Sequence, residues 1–470
     1  MTDDTPRHGW RTFVIAWASQ SVSLIGTALT FFAVNIWLTQ VLYPRPEQKP
    51  QLAFALAANG LAFALPTIGA APIAGAWADR HDRRRTMLAM NVVAGVLTVA
   101  MLLLMAAHRI GLPGLLAFMV LYCLAGAFHA ASFDTSYAML VPGPQLPRAN
   151  GMMQTSWALS GVVSPGLAAT LISLPALARQ GHFPDLGGGA LGRMTDGTPL
   201  ALAVDGLSFF AAAAVLLGLD IPSPKRADRG ADGRPRASLI ADVRAGALYI
   251  GRRRPLLWLL VTFAGANFIA APMQVLQPLL VKFGLNHDWT ARGFTFETAL
   301  ALLATAGSLG AVVGGVAISV WGGLRERRVR GVIVPLAVAG AIEIAYGLSP
   351  WIWLTAAMGF LAGSLIPAAN AHSQAIWQAQ VPRELQGRVF SVRRLVAQFT
   401  FPLGTAIAGA LGGAIPPGLA IAVLGAAFML FAATQLVNPA LRRVEDKAWL
   451  DAEAARAGEV PREAVAVAGE

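Results

Sequence analysis

Apolar residues run in long blocks along this chain, and short polar breaks separate them. A helix that crosses a bilayer needs about 20 mostly apolar residues. Twelve such runs can be read, at 12–41, 51–78, 86–107, 113–140, 152–176, 199–220, 255–283, 296–321, 331–349, 351–379, 389–414 and 417–437. Only Ser349 and Pro350 separate the ninth run from the tenth. The pattern predicts an all-α membrane protein with twelve transmembrane helices, called spans 1 to 12 below. Its first ten residues carry Asp3, Asp4 and Arg7 and lead straight into a long apolar run. They offer no short apolar core with a small-residue cleavage site, so span 1 is expected to be retained.

Composition agrees with that pattern. Of the 470 residues, 56% are hydrophobic and 13% charged, where a soluble domain is nearer a quarter charged. The net charge of +11 could suggest nucleic acid, but its placement gives another meaning. With the N-terminus inside, 29 of the 36 basic residues fall on cytoplasmic segments, as the positive-inside rule requires. The expected location is the bacterial cytoplasmic (inner) membrane, multi-pass, with both termini cytoplasmic. Anionic lipid headgroups are expected partners, nucleic acid is not, and a monomer is expected. Cys123, alone in the chain, lies inside a span, so neither a disulfide within the chain nor a cysteine metal site is expected.

The longest cytoplasmic segment, Ile221 to Arg254, holds three prolines and nine basic residues. It divides the spans six and six. The expected domains are an N-terminal six-helix bundle at 1–220, a cytoplasmic linker at 221–254, a C-terminal six-helix bundle at 255–437 and a cytoplasmic tail at 438–470. Within the linker, Leu239, Val243, Ala247 and Ile250 fall on one helical face, which predicts a helix lying along the membrane surface. The halves also repeat. Val381-Pro382 follows Val141-Pro142 at an offset of 240 residues, and Arg388 follows Arg148 at the same offset. Two pseudo-symmetric bundles suit a protein that rocks about a site between them.

Between spans 2 and 3 stands a knot of charge: Asp79, Arg80, Asp82, Arg83, Arg84 and Arg85. With Gly75 it reads Gly75-Ala-Trp-Ala-Asp79-Arg80-His-Asp-Arg83-Arg84, which resembles the loop 2–3 signature of the major facilitator superfamily. Asp82 stands where that signature usually has its second glycine. Arg148-Ala-Asn150, Asp205-Gly-Leu-Ser-Phe209 and the run Gln374 to Ser391 resemble one branch of the superfamily, the one holding the enterobactin exporter and macrolide-efflux proteins. The resemblance covers nearly the whole chain. It implies the major facilitator fold and a secondary transporter, not an enzyme. Such a protein exports a small amphiphilic molecule by alternating access, driven by proton antiport. Uptake, or facilitated passage of a polar metabolite or lysolipid, is the alternative on the same fold. Protons and a small-molecule substrate are the implied partners, and no cofactor is expected.

The resemblance further implies that Asp79 packs against the cytoplasmic start of span 11. Gly75, Asp79, Arg80, Arg83, Arg84 and Arg388 would then form a cytoplasmic gate; the plainer reading is a solvated loop that fixes topology. The second half keeps arginines in Trp321-Gly322-Gly323-Leu-Arg325-Glu326-Arg327-Arg328 but no matching acid, which predicts a lopsided gate. In this fold spans 1, 4, 7 and 10 line the cavity. Gln20, Ser23 and Thr27 share one face of span 1. Asn267, Gln274 and Gln277 lie on span 7, and Asn370 and Gln374 on span 10, with His372 near them. These stripes suit a substrate rich in hydrogen-bonding groups, or equally helix-to-helix bonds.

Four titratable residues lie at membrane depth, where charge is costly. His129 and Glu343 are the proton-coupling candidates, while Asp134 and Asp205 are expected to be structural. Many proton-coupled relatives carry an arginine in span 4, four residues before a glycine. Here Gly126 is that glycine and Tyr122 takes the arginine's place. No cluster with metal-ligand spacing, nucleotide loop or partnered nucleophile is found; Gly187-Gly-Gly189 reads as a flexible linker.

Overall fold

Apolar runs in lipid become helices because no water is there to satisfy a bare backbone amide. The computed structural model describes residues 8–180, 191–222 and 239–456. The Gly187–Gly189 loop, residues 223–238 of the linker and residues 457–470 of the tail lie outside the described residues. Among those described, twelve helices are long and apolar enough to cross a membrane, and no strand occurs. Span 1 is Gly9–Trp37, span 2 Lys49–Ala78, span 3 Arg83–Ala106, span 4 Leu112–Leu140, span 5 Leu146–Arg179 and span 6 Thr198–Leu217. Span 7 is Arg254–Ala270 continued by Met273–Leu279, span 8 Phe296–Trp321 and span 9 Arg328–Leu348. Span 10 is Ile352–Gln380, span 11 Arg383–Ala414 and span 12 Pro417–Val437.

Three differences from the apolar runs have local causes. Spans 5 and 11 begin well before residues 152 and 389, each just after a Val-Pro pair, with Pro147 and Pro382 at their starts. Proline's fixed φ suits a helix start, where its missing N–H is not needed. Span 7 breaks at Ala271-Pro272, because Pro272 has no N–H to continue the ladder. Loop 7–8 folds a short helix, Asn286–Ala291. Its Asp288 is paired with Arg292 and accepts the Ile352 N–H at 2.8 Å, capping span 10. Those donors hold the Asp288 carboxyl below the usual carboxylate range.

The helices pack as two matching bundles. Spans 1·5, 1·6, 2·4, 3·4, 3·6 and 5·6 are in contact, and so are their counterparts 7·11, 7·12, 8·10, 9·10, 9·12 and 11·12. The halves meet through spans 2·11 and 5·8, which also exchange under the repeat. Glycine sets the closest approaches in the second half. A Cβ on Gly310 or Gly314 of span 8 would overlap the carbonyl of Phe360 or Ser364 in span 10. Small residues let backbones approach where lipid gives no hydrophobic drive. The linker helix, Leu239–Gly251, seats on the start of span 11, where a Cβ on Gly246 would lie 2.5 Å from the Arg388 carbonyl oxygen. Tyr249 and Ile250 join the core of the second half.

The two ends of the molecule differ. At the end away from loop 2–3, one apolar cluster runs through both halves, from Leu29, Trp37 and Leu52 to Val275, Leu280 and Ile421. At the loop 2–3 end each half has clusters of its own. The halves are therefore joined at one end and separate in their cores at the other.

Candidate functional site

Loop 2–3 is built from helix-end chemistry. Asp82 accepts the Arg85 N–H at 2.9 Å and so caps span 3, a role glycine could not fill with a side chain. Arg83 is buried and donates to the carbonyls of Ala78 at 3.1 Å and Thr135 at 3.2 Å. Arg84 donates to the carbonyls of Leu216 and Leu217. Cations thus meet the carbonyl ends of spans 2, 4 and 6, where the helix dipole is negative. These bonds fall within the first half. Asp79 lies 3.9 Å from Arg83 and stays 44% exposed, beside an exposed Arg80. Gly75 faces open space, as does Gly387, and Arg388 is exposed.

At the opposite end two lysines bridge the halves. Lys282, in the turn that follows span 7, donates to the carbonyls of Thr39 at 2.5 Å and Tyr43 at 2.8 Å. Lys49, from span 2, donates to the Ile415 carbonyl at 2.7 Å. Around them the turns of spans 2 and 11 at this end touch, Gly409 against Ala57 and Gly413 against Pro50. Both lysines are among the seven basic residues that fall outside the expected cytoplasmic segments. Their acceptors lie hundreds of residues away, so no local pattern could mark them.

A cavity of about 350 Å³ lies inside the first half, within the range of small-molecule pockets. It reaches from Phe31, Phe63 and Tyr122 at mid-depth to Trp17 and Asp134 near the loop 2–3 end. Gln20, Ser23 and Thr27 all lie on its wall, with Asn91, His129 and Trp157. The wall is mostly aromatic and aliphatic, and its polar groups come from span 1 and the spans facing it. Gln20 and Ser23 are also nearly covered by neighbours, at 7% and 5% exposed. The structure therefore puts them at both pocket and packing positions. Asp134, expected to be structural, lies on the cavity wall.

The other candidates do not gather at that cavity. Asn267 donates to the Ala397 carbonyl at 3.3 Å, tying span 7 to span 11. Gln277 donates to the Tyr346 hydroxyl at 3.0 Å, and Gln374 accepts from Arg393 at 2.7 Å. Gln274 and Asn370 are exposed. His372 is buried, and its ring nitrogens contact the Leu324 N–H at 2.8 Å and the Ala368 carbonyl at 2.7 Å. It pins loop 8–9, with Gly323 and Gly331 against its ring. Glu343 sits in the seam between spans 9 and 12, against Gly425. His129 lines the cavity, with no hydrogen-bond partner for Nε2 among the described residues. Asp205 is fully buried where spans 1, 4 and 6 meet, accepting from Thr30 and Tyr122.

Comparison with known proteins settles the family. The Major Facilitator Superfamily model matches residues 16–405. The chain belongs to the Major Facilitator Superfamily. It is therefore a membrane transporter and not an enzyme. Macrolide efflux protein A of Streptococcus pyogenes is 24% identical over 402 residues, spanning 84% of this chain and 88% of that protein. Macrolide efflux protein A of Enterococcus faecalis is 24% identical over 356 residues, 75% of this chain and 99% of that protein. Among solved structures, a bacterial homologue of the lysosomal transporter Spinster superposes with a TM-score of 0.62 at 17% identity, covering 96% of each chain. The POT family transporter PepTSo gives a TM-score of 0.64 at 13% identity, covering 93% of this chain and 99% of that one. These likenesses show the fold.

Proposed function

We propose that this protein is a secondary exporter of small amphiphilic molecules, of macrolide or siderophore type, working by alternating access with proton antiport. The observation that carries the reading is the first-half cavity, whose aromatic wall carries a stripe of amide and hydroxyl groups. Apolar faces of a substrate stack on the aromatics, while its polar edges meet Gln20, Ser23, Thr27 and Asn91. Relatives named for macrolide efflux support export over uptake. The excess of basic residues near loops 2–3, 8–9 and 10–11 supports a cytoplasmic loop 2–3 end. On that placement the protein sits in a bacterial cytoplasmic membrane with both termini inside, as a monomer. The conformation described is then closed outside, and its two cores separate inside. Anionic headgroups meet the basic cytoplasmic loops.

Everted membrane vesicles test the reading. Erythromycin should accumulate in them under a proton gradient, and a protonophore should abolish the accumulation. Gln20→Ala should lower the rate per molecule severalfold, since a hydrogen bond contributes about 0.5–1.5 kcal/mol. Accumulation in right-side-out vesicles instead would establish uptake. Lost abundance with an intact rate per molecule would assign Gln20 to packing.

Asp79 is the inner gate in this reading. When the inner ends of the halves close, its carboxylate docks at the start of span 11 near Gly387 and Arg388. Such a contact exists in one state only and so biases the equilibrium. Asp79→Asn keeps the shape and removes the charge, at a cost of about 1.5–3 kcal/mol on the charged hydrogen-bond scale. Export should fall and the inward-open population should rise. Spin labels on loops 2–3 and 8–9 read the separation directly; an unchanged distance distribution would leave the loop as a structural tie alone.

A further inference from the structure

Asp205 is a carboxylic acid buried at membrane depth, and its surroundings are unusual. Its side chain is fully buried. Oδ2 accepts from Thr30 Oγ1 at 2.6 Å and from the Tyr122 hydroxyl at 3.0 Å. The Tyr122 oxygen is also 3.0 Å from Thr27 Oγ1. Oδ1 lies against Gly26, where a Cβ would come within 2.6 Å, and it has no hydrogen-bond partner among the described residues. Tyr122 and Thr27 both line the cavity, whereas Asp205 lies one residue behind its wall.

No cation answers this acid from the helices around it. Span 6 packs on spans 1, 3 and 5. Span 1 carries no titratable residue between Arg11 and Tyr43, span 3 none between Arg85 and His108, and span 5 none between Arg148 and Arg179. Span 4 supplies Tyr122 and, on the cavity wall, Cys123, His129 and Asp134. A buried carboxylate with two hydroxyl donors and no counter-charge is costly. Proton uptake relieves that cost, so the site favours a group that loads and unloads a proton.

We propose that Asp205 carries the coupling proton, and that Tyr122 and Thr27 relay it to the cavity. The assignment rests on the proton-antiport reading above. The relay works in both directions on one set of oxygen positions. With Asp205 ionised, Tyr122 donates to Oδ2 and accepts from Thr27. With Asp205 protonated, Oδ2–H donates to the Tyr122 oxygen, and Tyr122 donates to Thr27. To unload, the Asp205 proton passes to the Tyr122 oxygen as the Tyr122 proton passes to Thr27, whose own proton goes to cavity water. Each O–H bond broken is matched by one formed, and one proton leaves the carboxyl. Water from the outer side reloads it when the cavity faces out. The tyrosine at the position of the relatives' span 4 arginine thus gains a task. His129 and Glu343 are not needed for it: Glu343 lies at the remote seam of spans 9 and 12.

The test uses the full chain in proteoliposomes with erythromycin as the probe. Three signals are read: proton movement on adding erythromycin, accumulation driven by a pH gradient, and exchange of labelled for unlabelled erythromycin without a gradient. Asp205→Asn is nearly isosteric and should lose the first two while exchange persists. Tyr122→Phe should slow proton release more than exchange. Gradient-driven accumulation by Asp205→Asn at the wild-type rate overturns the assignment. Equal slowing of proton release and exchange in Tyr122→Phe also overturns it, since a purely structural role predicts that. Wild-type exchange with no proton movement removes the antiport reading and this assignment with it.

Discussion

Lys282→Met should open the face away from loop 2–3, the outer face on the topology proposed above. Wild-type Lys282 reaches across the halves to two carbonyls of the loop 1–2 region, Thr39 and Tyr43. Both bonds join the two halves at this end in the conformation described. Hydrogen bonds from a charged donor contribute about 1.5–3 kcal/mol, so the loss should move the population roughly tenfold to a hundredfold toward outward-open. Methionine keeps the apolar stem against the joined cluster, which confines the change to the donors. Labels at exposed Glu47 and His287, introduced as cysteines after Cys123→Ala, report the distance between the outer loops by electron spin resonance. The distribution should gain a longer component, and Lys282→Arg should restore the short one. Identical distributions for Lys282→Met and wild type would show that apolar packing alone closes this face. Lys49→Met, which loses one bond to Ile415, should act in the same direction with a smaller shift.

Adjacent glycines in span 8 should respond with opposite signs. A Cβ on Gly314 would overlap the Ser364 carbonyl of span 10, whereas one on Gly315 would meet nothing within 4 Å. Gly314→Ala must push two backbones apart, and overpacking of this kind costs about 1–3 kcal/mol. Gly315→Ala brings no clash and gains helix propensity, about 0.8–1.0 kcal/mol in a water-exposed host. Thermal unfolding in detergent should therefore fall for the first and hold or rise for the second. Gly314→Val should leave little folded protein. Equal melting of wild type and Gly314→Ala would mean that spans 8 and 10 can separate at no cost.

Hydropathy settled what depends on lipid alone. Twelve apolar runs became twelve helices because bilayer thickness fixes length and a buried backbone must bond within its own helix. Fold class followed from that and from the repeat of Val141-Pro142 and Arg148 in Val381-Pro382 and Arg388. Span ends were legible where charge met apolar residues, as at Arg83 and Arg254. They were missed where a polar helix ran on beyond the lipid-facing run, as at Leu146 and Arg383. The span 1 stripe of Gln20, Ser23 and Thr27 was visible because its members share one helix face.

Tertiary packing decided the partners. A motif cannot reveal that Arg83 and Arg84 end on the carbonyls of Thr135, Leu216 and Leu217, or that Lys282 clasps Thr39 and Tyr43. Spacing likewise gave Asn267 and Gln277 the same standing as Gln20; only the packed helices show that they bond across to Ala397 and Tyr346. Asp205 read as an acid at membrane depth with a structural role. Only when spans 1, 4 and 6 came together did it gain two hydroxyl donors and stand one tyrosine away from a cavity. The physical reason is range: burial in lipid is a property of each segment, whereas a hydrogen bond over 3 Å depends on where every other helix has been placed.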